Sequence, residues 1–300
     1  MNTEEMPEMD SLSTHSDPIK MEVSSYRFRP LTGRILTYVF LFMLAILMLL
    51  PFLWMLSASV KLDKDVFRYP VEWIPADPQW SNYVDIWTRI PFLTFFANTF
   101  KLTVIITFLQ LATSSFAAYA FAKLEFKGRD ILFLAYVASI AIPWQAYMVP
   151  QFIMMRRLDL VDTHWSLILL QAFSAFGVFL LRQFFLSIPD EILDAARIDG
   201  LSEYGIYFRI MLPLSKPALA TLTIFTAVSV WNDFMGPLIY LHSQSLKTIQ
   251  LGLRLFIQQY SANYALIMAA SLVSLIPVVI LFFAFQRFFI EGIGTTGIKG

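Results

Sequence analysis

Residues 182–216 read RQFFLSIPDEILDAARIDGLSEYGIYFRIMLPLSK and separate two long apolar runs. A connector between apolar runs needs only polarity and flexibility, whereas this segment has the pattern of a short helix. Ser187, followed by Pro189 and two acids, predicts the start of that helix, because a capping hydroxyl, an early proline and acidic side chains all favour a helix N-terminus. Gly200 predicts its end, since glycine readily adopts the left-handed conformation of a helix cap.

A second helix is predicted immediately afterwards. Ser202 is a suitable capping residue for a helix over Glu203–Met211, and Pro213 is expected to terminate it. Ser215 and Pro217 repeat the starting pattern at the head of the next apolar run. We therefore expect two short helices that meet at a glycine corner and lie across the face of a membrane.

Small side chains mark the first of these helices as a docking surface. Ala195 and Ala196 are adjacent, and their methyl groups leave a low surface against which another protein can pack. We interpret the segment as an element that is gripped by a protein outside the membrane.

The composition of the chain requires a bilayer around most of it. Of the 300 residues, 57% are hydrophobic and 15% are charged, whereas soluble domains carry about 25% charged residues. A membrane-spanning helix needs roughly 20 apolar residues, and six runs meet or approach that length. They are Ile35–Val60, Leu102–Ala122, Ile131–Met155, Trp165–Leu181, Ala218–Leu246 and a run near Tyr264–Phe285. We expect an all-α integral membrane protein with six transmembrane helices.

Several functional classes are excluded by what the sequence lacks. It contains no cysteine, and therefore no disulfide framework, thiolate nucleophile or cysteine metal site. The histidines are far apart, and the motifs GxxxxGKS or GxxxxGKT, HExxH and GxSxG are missing. No catalytic, metal or cofactor site is predicted, and a net charge of zero gives no indication of nucleic-acid binding. If this protein works against a gradient, its energy comes from another chain.

An even number of spans places both termini on one side of the membrane. The short basic flanks Arg27–Arg34 and Lys123–Arg129 favour the cytoplasmic side, although Arg156 and Arg157 oppose this orientation. The resulting division is a disordered cytoplasmic tail over 1–33, a first transmembrane helix over 34–60, an extracytoplasmic loop over 61–91, a membrane core over 92–287 that includes the loop 187–216, and a cytoplasmic tail over 288–300.

Asp233 is an acid placed inside a predicted span. A carboxylate within the membrane is unfavourable unless it faces a cavity or a partner. Asp233, with Trp231 and Asn232 beside it, is therefore either part of a gate or solute path, or a polar clamp to a neighbouring helix. Gln145 lies beside Pro143 in the third span, where a proline kinks the helix. It either lines a polar path or only packs.

The spacing within residues 194–213 resembles that of a known family. Asp194-Ala195-Ala196, three residues, Gly200, nine residues, Ile210, one residue and Leu212-Pro213 is similar to the EAA loop of membrane subunits of ATP-binding-cassette (ABC) importers. The departure is aspartate in place of the usual first glutamate. The flanking stretches Leu180–Phe185 and Trp231–Phe234, and the ending Ile290–Gly300, resemble carbohydrate-type permeases, in particular the maltose-permease-like second membrane subunit.

This resemblance implies the fold of a type I ABC importer transmembrane domain, located in the cell membrane and spanning it several times. It implies that the loop contains a coupling helix seated on a cytoplasmic ATPase dimer. A second permease subunit, in a heterodimer, and an extracytoplasmic solute-binding protein are the other implied protein partners. The implied coupling residues are Glu191, Asp194, Ala195, Ala196, Asp199, Gly200, Ile210, Leu212 and Pro213.

The function implied is that of a permease half for a sugar, with ATP hydrolysis in a separate subunit, so that the chain itself is not an enzyme. The resemblance further implies that His242–Asn263 can reach toward the binding protein and Gly292–Gly300 toward the ATPases. The same scaffold could import glycerol phosphate or another small solute. A secondary carrier, from a different class, would show inverted repeats and broken helices at its midplane. The sequence shows no convincing pairing of segments of that kind.

Overall fold

The computed structural model describes residues 31–257 and 263–294, and this part of the chain contains helices and loops but no strand. The all-α prediction is confirmed. The longer helices are α1 Leu31–Ser59, α2 Asn82–Arg89, α3 Phe92–Lys123, α4 Arg129–Ala138, α5 Trp144–Arg157, α6 His164–Gln171, α7 Ala175–Leu186, α8 Asp190–Ile198, α11 Lys216–Trp231, α13 Ile249–Leu255 and α14 Tyr264–Gly294. The shorter ones are α9 Glu203–Ile206, a π-helical turn Tyr207–Met211, α10 Leu212–Leu214, α12 Met235–Tyr240 and the 3-10 turns Asp63–Asp65, Ser139–Ala141 and Gln244–Leu246.

The two predicted tails lie mostly outside the described residues. Within the described part, α1 begins at Leu31 and α14 continues to Gly294. Both helices therefore extend into the ranges 1–33 and 288–300 that were predicted as tails.

The described residues contain four helical segments that are long and apolar enough to cross a membrane, namely Gly33–Ser59, Phe92–Lys123, His164–Leu186 and Tyr264–Arg287. Two further pairs pass the same test but are bent. Arg129–Ala141 meets Trp144–Arg157 at 101°, and Glu203–Leu214 meets Lys216–Trp231 at 76°. If each bent pair contributes one span, the total is the predicted six. In the second pair, α11 is the predicted span and Glu203–Leu214 belongs to the polar loop.

The chain divides into two compact units, residues 1–50 and 51–300. In the first unit the described residues belong to α1, and their apolar side chains are exposed, as is typical of a helix that faces lipid. The features described below, apart from one control position in α1, belong to the second unit.

The predicted interfacial turn over 61–91 folds back on the end of α1. The Asn82 side-chain amide donates to the carbonyls of Ser59 and Lys61, both at 2.9 Å. The backbone amide of Gln79 donates to the carbonyl of Val60 at 2.8 Å. Exposed rings at the surface of this turn belong to Trp73, Trp80 and Trp87, and such rings favour the membrane–water boundary.

The third predicted span is broken rather than merely kinked. Ile142 has an extended backbone (φ −85°, ψ 113°) and α5 begins at Trp144. Pro143 favours this break, because the ring of a proline disfavours helical geometry for the residue before it. Pro150, by contrast, lies within α5.

The fifth predicted span also stops early, at Trp231 instead of near Tyr240. Asn232 has a non-helical backbone, and its side-chain amide donates to the Val228 carbonyl at 2.9 Å. Short polar side chains of this kind compete with the helix for its own carbonyl groups. Asp233 therefore lies in a break between α11 and α12, and not along a continuous helix.

The glycine corner of the polar loop is confirmed, but one predicted cap is wrong. Gly200 has φ 84°, and the Ser202 hydroxyl accepts from the Gly205 amide at 3.3 Å. Ser187 does not cap α8, because its hydroxyl donates backwards to the Phe184 carbonyl at 2.6 Å. The residue that precedes α8 is Pro189, which offers no side-chain hydrogen bond.

The second loop helix continues past the predicted stop. Pro213 lies near the end of this helical segment, its fixed φ is compatible with a helix, and helical geometry persists to Leu214. Ser215 does not cap α11 through its side chain. Its backbone amide instead donates to the Met211 carbonyl at 3.0 Å.

The core below the polar loop contains side chains from both the loop and the spans. Leu193 and Ala196 of α8 pack with Leu181 and Phe185 of α7 and with Met211. Ala196 is only 6% exposed. The prediction that this methyl group faces another protein was therefore wrong, because the apolar face of α8 is covered by the chain's own core.

Gly177 in α7 tests how closely α7 approaches α3. A Cβ at Gly177 would lie 2.6 Å from Ser114 Oγ and 3.2 Å from Leu222 Cδ2. We expect Gly177→Ala to destabilise the fold by about 1–3 kcal/mol through overpacking, measured as a lower thermal midpoint in detergent. Gly33→Ala is the control, since a Cβ there meets nothing within 4 Å. Equal midpoints for both variants would contradict the close approach.

Candidate functional site

A cavity of about 610 Å³ opens among the helices of the second unit. Its lining combines uncharged polar side chains with aromatic rings. The polar members are Gln110, Gln151, Gln171, Thr226, Ser229 and Asn232, and the aromatic members are Trp144, Tyr147, Phe173, Phe234 and Tyr240. Asp233 adds a carboxylate.

One side of the cavity is a break between α6 and α7. The chain leaves helical geometry after Gln171, which frees backbone carbonyls inside an apolar region. Gln110 donates its side-chain amide to the Gln171 carbonyl at 3.1 Å, and the Thr113 hydroxyl donates to the Ala172 carbonyl at 2.7 Å. A helix break at membrane depth is tolerated only where such partners exist. The hydroxyl of Thr226 in α11 donates to the remaining oxygen of the Gln110 side chain.

The opposite side is the break between α11 and α12, and Asp233 joins the two breaks. One carboxylate oxygen accepts from the Gly236 amide at 3.1 Å, and the other accepts from the Gln171 side chain at 2.8 Å. Gly236 leaves room for this arrangement, since a Cβ there would lie 2.5 Å from Asp233 Oδ2 and 3.2 Å from Leu167 Cδ2. Asp233 thus has the contacts of a clamp and also lines the cavity.

Trp231 and Gln145 lie elsewhere. The Trp231 ring is 3% exposed, donates to the Ser274 carbonyl at 3.0 Å and packs edge-on against Phe96, which fixes α11 to α14. Gln145 is exposed and does not line the cavity. Gln151, on the same helix, does so and accepts from the Trp144 indole at 2.9 Å.

The sequence offered partial indications of the missed cavity residues. Gln151 follows Pro150 within a span, and Gln110 is an amide in an otherwise apolar run, yet both are equally compatible with helix packing. Gln171 lies in the middle part of the apolar run Trp165–Leu181, without a proline or glycine beside it. Its position at a break depends on partners in α3, which sequence periodicity does not reveal.

The second candidate site is the exposed surface of the polar loop, on the side away from the chain's own core. Of the predicted coupling residues, those exposed are Glu191, Asp194, Ala195, Asp199, Gly200 and Pro213, whereas Ala196, Ile210 and Leu212 pack on the chain's own core. Ile198 and Tyr204 are 87% and 74% exposed. Both residues were missed because nothing in the sequence distinguishes them from buried helix positions. Their exposure becomes visible only from the way α8 and α9 pack on the core.

Residues 31–294 match the family of binding-protein-dependent transport system inner membrane components. The chain belongs to this family. It is therefore a permease subunit of an ABC importer, with the type I transmembrane fold, and it is a multi-pass inner membrane protein.

Relatives of the permease act in sugar and polyol phosphate transport. The permease protein AraQ of the arabinooligosaccharides transport system of Halalkalibacterium halodurans is 37% identical over 274 residues, covering 90% of this chain and 98% of AraQ. The sn-glycerol-3-phosphate transport system permease protein UgpE of Pectobacterium atrosepticum is 32% identical over 239 residues, covering 77% of this chain and 85% of UgpE.

A solved bacterial ABC transporter involved in the import of the acidic polysaccharide alginate has a similar fold. One of its chains matches the permease with a TM-score of 0.77 and 28% identity, covering 87% of this permease and 99% of that chain. The alternative of a secondary carrier is thereby set aside. The permease does have broken helices, which carriers also use, but its family and fold are those of importers that depend on a binding protein.

The clamp at Asp233 predicts a specific mutational pattern. In Asp233→Asn the charged acceptor becomes a neutral amide, and the Gln171 side chain rotates so that its oxygen accepts from the new nitrogen. The two charge-assisted hydrogen bonds thereby become neutral ones, at a cost of about 1 kcal/mol. We expect a lower thermal midpoint and reduced solute uptake. Asp233→Asn combined with Gln171→Glu restores an amide–carboxylate pair with its direction reversed, and should recover part of both.

Asp85→Asn is the matched control, since Asp85 is a surface carboxylate paired with Arg89 at 3.4 Å. Such an exposed pair contributes little. If Asp233→Asn behaved like Asp85→Asn in both stability and uptake, Asp233 would be neither a clamp nor a path residue.

Proposed function

We propose that this permease forms one half of the path of an ATP-driven sugar importer, and that a second, different permease subunit forms the other half. A cytoplasmic ATPase dimer binds the loop 187–216 and hydrolyses ATP. An extracytoplasmic solute-binding protein delivers the sugar at the opposite mouth, and both termini are cytoplasmic. The polar and aromatic lining of the cavity is the observation that carries this proposal.

Neutral sugars fit this lining chemically. Amide side chains such as Gln110 and Gln151 can both donate to and accept from hydroxyl groups. Rings such as Trp144 and Tyr147 present flat apolar faces to the C–H side of a sugar ring. The volume of about 610 Å³ lies within the range of about 300–1,000 Å³ for small-molecule sites. The second permease then closes the open side.

Charge favours a neutral sugar over glycerol phosphate. Among the described residues that line the cavity there is no lysine or arginine, and Asp233 is a carboxylate. Phosphate sites rely on arginine, lysine or clustered backbone amides. A phosphate group entering this cavity would meet a negative charge without a compensating cation on this subunit.

The surface of the loop fits an ATPase docking site. Ile198 on α8 and Tyr204 on α9 are apolar side chains that the chain leaves exposed, and Glu191 and Asp199 of the same loop are exposed acids. An exposed apolar patch with polar surroundings is typical of a protein interface. In this assignment residues 61–91 are extracytoplasmic and residues 92–287 form the membrane core.

On the opposite side, Asp162 orders the loop that follows Tyr240. Its carboxylate accepts from the backbone amides of His242 and Ser243 at 2.8 Å each, and from the Ser243 hydroxyl. The Ser243 hydroxyl and then these amides hold the pKa of Asp162 below its usual value. The contact is therefore present at neutral pH and lost only in acid, as the pH falls through that lowered pKa. We assign this ordered loop, within His242–Asn263, to contact with the solute-binding protein.

Cysteine crosslinking tests the docking of the ATPase. The chain has no native cysteine, so single introduced residues report unambiguously. We expect Ala195→Cys and Ile198→Cys to crosslink to cysteines placed on the ATPase in membranes. Ala196→Cys should not crosslink, because its side chain is buried against α7. Equal yields at Ala195 and Ala196, or none at any exposed position, would contradict the docking.

Gly200 tests the coupling role of the loop. Its φ of 84° is unfavourable for a β-branched residue, and Gly200→Val should distort the corner at a cost of about 1–3 kcal/mol. We expect ATP-dependent uptake to be lost while membrane insertion is retained. Gly205→Ala is the control, since a Cβ there makes only ordinary contacts from 3.5 Å outwards. Normal uptake by Gly200→Val would argue against coupling.

Uptake by a strain that lacks the permease gene tests the identity of the solute. Labelled arabinotriose and labelled sn-glycerol 3-phosphate are offered separately, with and without the permease gene on a plasmid. We expect restored uptake of the sugar and none of the phosphate. Restored uptake of glycerol phosphate alone would overturn the sugar assignment while leaving the importer assignment intact.

A further inference from the structure

The last turn of α3 holds the polar loop at both ends of α8. Tyr119 and Lys123 are one helical turn apart and therefore lie on one face of α3. Each makes a short hydrogen bond to the loop. These contacts are not part of the docking surface, which lies on the exposed side of α8.

The start of α8 is held by Lys123. Its ammonium group donates to the Ile188 carbonyl at 2.7 Å and to an Asp190 carboxylate oxygen at 2.6 Å. The Lys123 side chain is 3% exposed. A buried ammonium group needs such partners, because burying a charge without them is strongly unfavourable.

The end of α8 is held by Glu203, whose two oxygens have different partners. One accepts from the Tyr119 hydroxyl at 2.5 Å, and the other accepts from the Arg197 guanidinium at 2.9 Å. Arg197 also donates to Asp194 at 2.7 Å. The bond from Arg197 lowers the pKa of Glu203, so this carboxylate is charged at neutral pH. Glu203 therefore connects α3 directly to α8.

The same helix reaches the cavity. Gln110 precedes Tyr119 by nine residues, which is about 14 Å along an α-helix. At that level its side chain bonds both the Gln171 carbonyl and Thr226. Helix α3 contains no proline and is unbroken from Phe92 to Lys123. It can therefore carry a displacement of the loop to the cavity without a hinge between them.

We propose that Tyr119, Glu203 and Arg197 form a latch that makes the polar loop and α3 move as one body, and that these residues position α3 so that ATPase movement opens or closes the cavity. The latch rests on the proposed docking of the ATPase at the loop, and it goes beyond that docking by assigning how the movement leaves the loop. The residues act through α3 and do not touch the solute.

A distance measurement tests the latch without any solute. Spin labels are placed at Ile192→Cys on α8 and Phe108→Cys on α3, which are 43% and 70% exposed, in an importer complex whose other subunits carry no cysteine. We expect one narrow distance distribution that is the same without nucleotide and with a non-hydrolysable ATP analogue. Tyr119→Phe should broaden it and make it depend on nucleotide. An unchanged narrow distribution in Tyr119→Phe overturns the latch.

Transport in proteoliposomes tests its functional consequence. The reconstituted importer, with its ATPase and binding protein, is assayed for arabinotriose transported per ATP hydrolysed. We expect Tyr119→Phe to retain ATP hydrolysis and to lower this ratio about fivefold or more, a change typical of a lost coupling interaction. Glu203→Gln should give a smaller loss, because its amide oxygen still accepts from Tyr119. A proportional fall of hydrolysis and transport would indicate a merely structural role and overturn the latch.

Tyr83→Phe is the matched control. It also removes a tyrosine hydroxyl from a 2.8 Å hydrogen bond, which joins Tyr83 in the turn over 61–91 to Ser59 at the end of α1. We expect it to leave both the label distances and the transport ratio unchanged. Failure of the wild-type complex to transport arabinotriose would exclude that sugar as the solute, whereas the label distances would still decide whether the latch exists.

Discussion

The need to satisfy backbone groups inside a bilayer governs the centre of this permease. Two helices stop within predicted spans, after Gln171 and after Trp231, and each break frees backbone groups that need hydrogen-bond partners. Gln110 and Thr113 donate to carbonyls at the first break. Asp233 accepts from the Gly236 amide at the second break and is tied to the first through the Gln171 side chain. The cavity exists because these polar side chains must gather where the helices are interrupted.

Helix α3 supplies the common support for these features. In its middle turns, Gln110 donates to a carbonyl at the break after Gln171, and in its last turn Tyr119 donates to Glu203 of the polar loop. The small residue Ser114 allows the close approach of Gly177 in α7. An uninterrupted helix is suited to this, because its internal hydrogen bonds keep distant side chains at a constant separation. Changes of direction are concentrated instead in its broken neighbours.

Local chemistry explains which parts of the fold and site could be predicted from sequence. The left-handed corner at Gly200 and the cap at Ser202 depend on residues within one turn of each other, and both predictions were correct. Ser187 and Ala196 failed because each has a nearer competing partner, the Phe184 carbonyl for one and the chain's own core for the other. Gln171 was missed because its partners are distant in sequence.

Coupling requires that two conformations differ in free energy by amounts that ligands can shift. The breaks after Gln171 and after Trp231 are places where the chain can change direction without losing helical bonds, since side chains already replace some of those bonds. Rotation about such points exchanges one set of polar contacts for another. A carboxylate shared between two breaks, as at Asp233, then makes their movements dependent on each other.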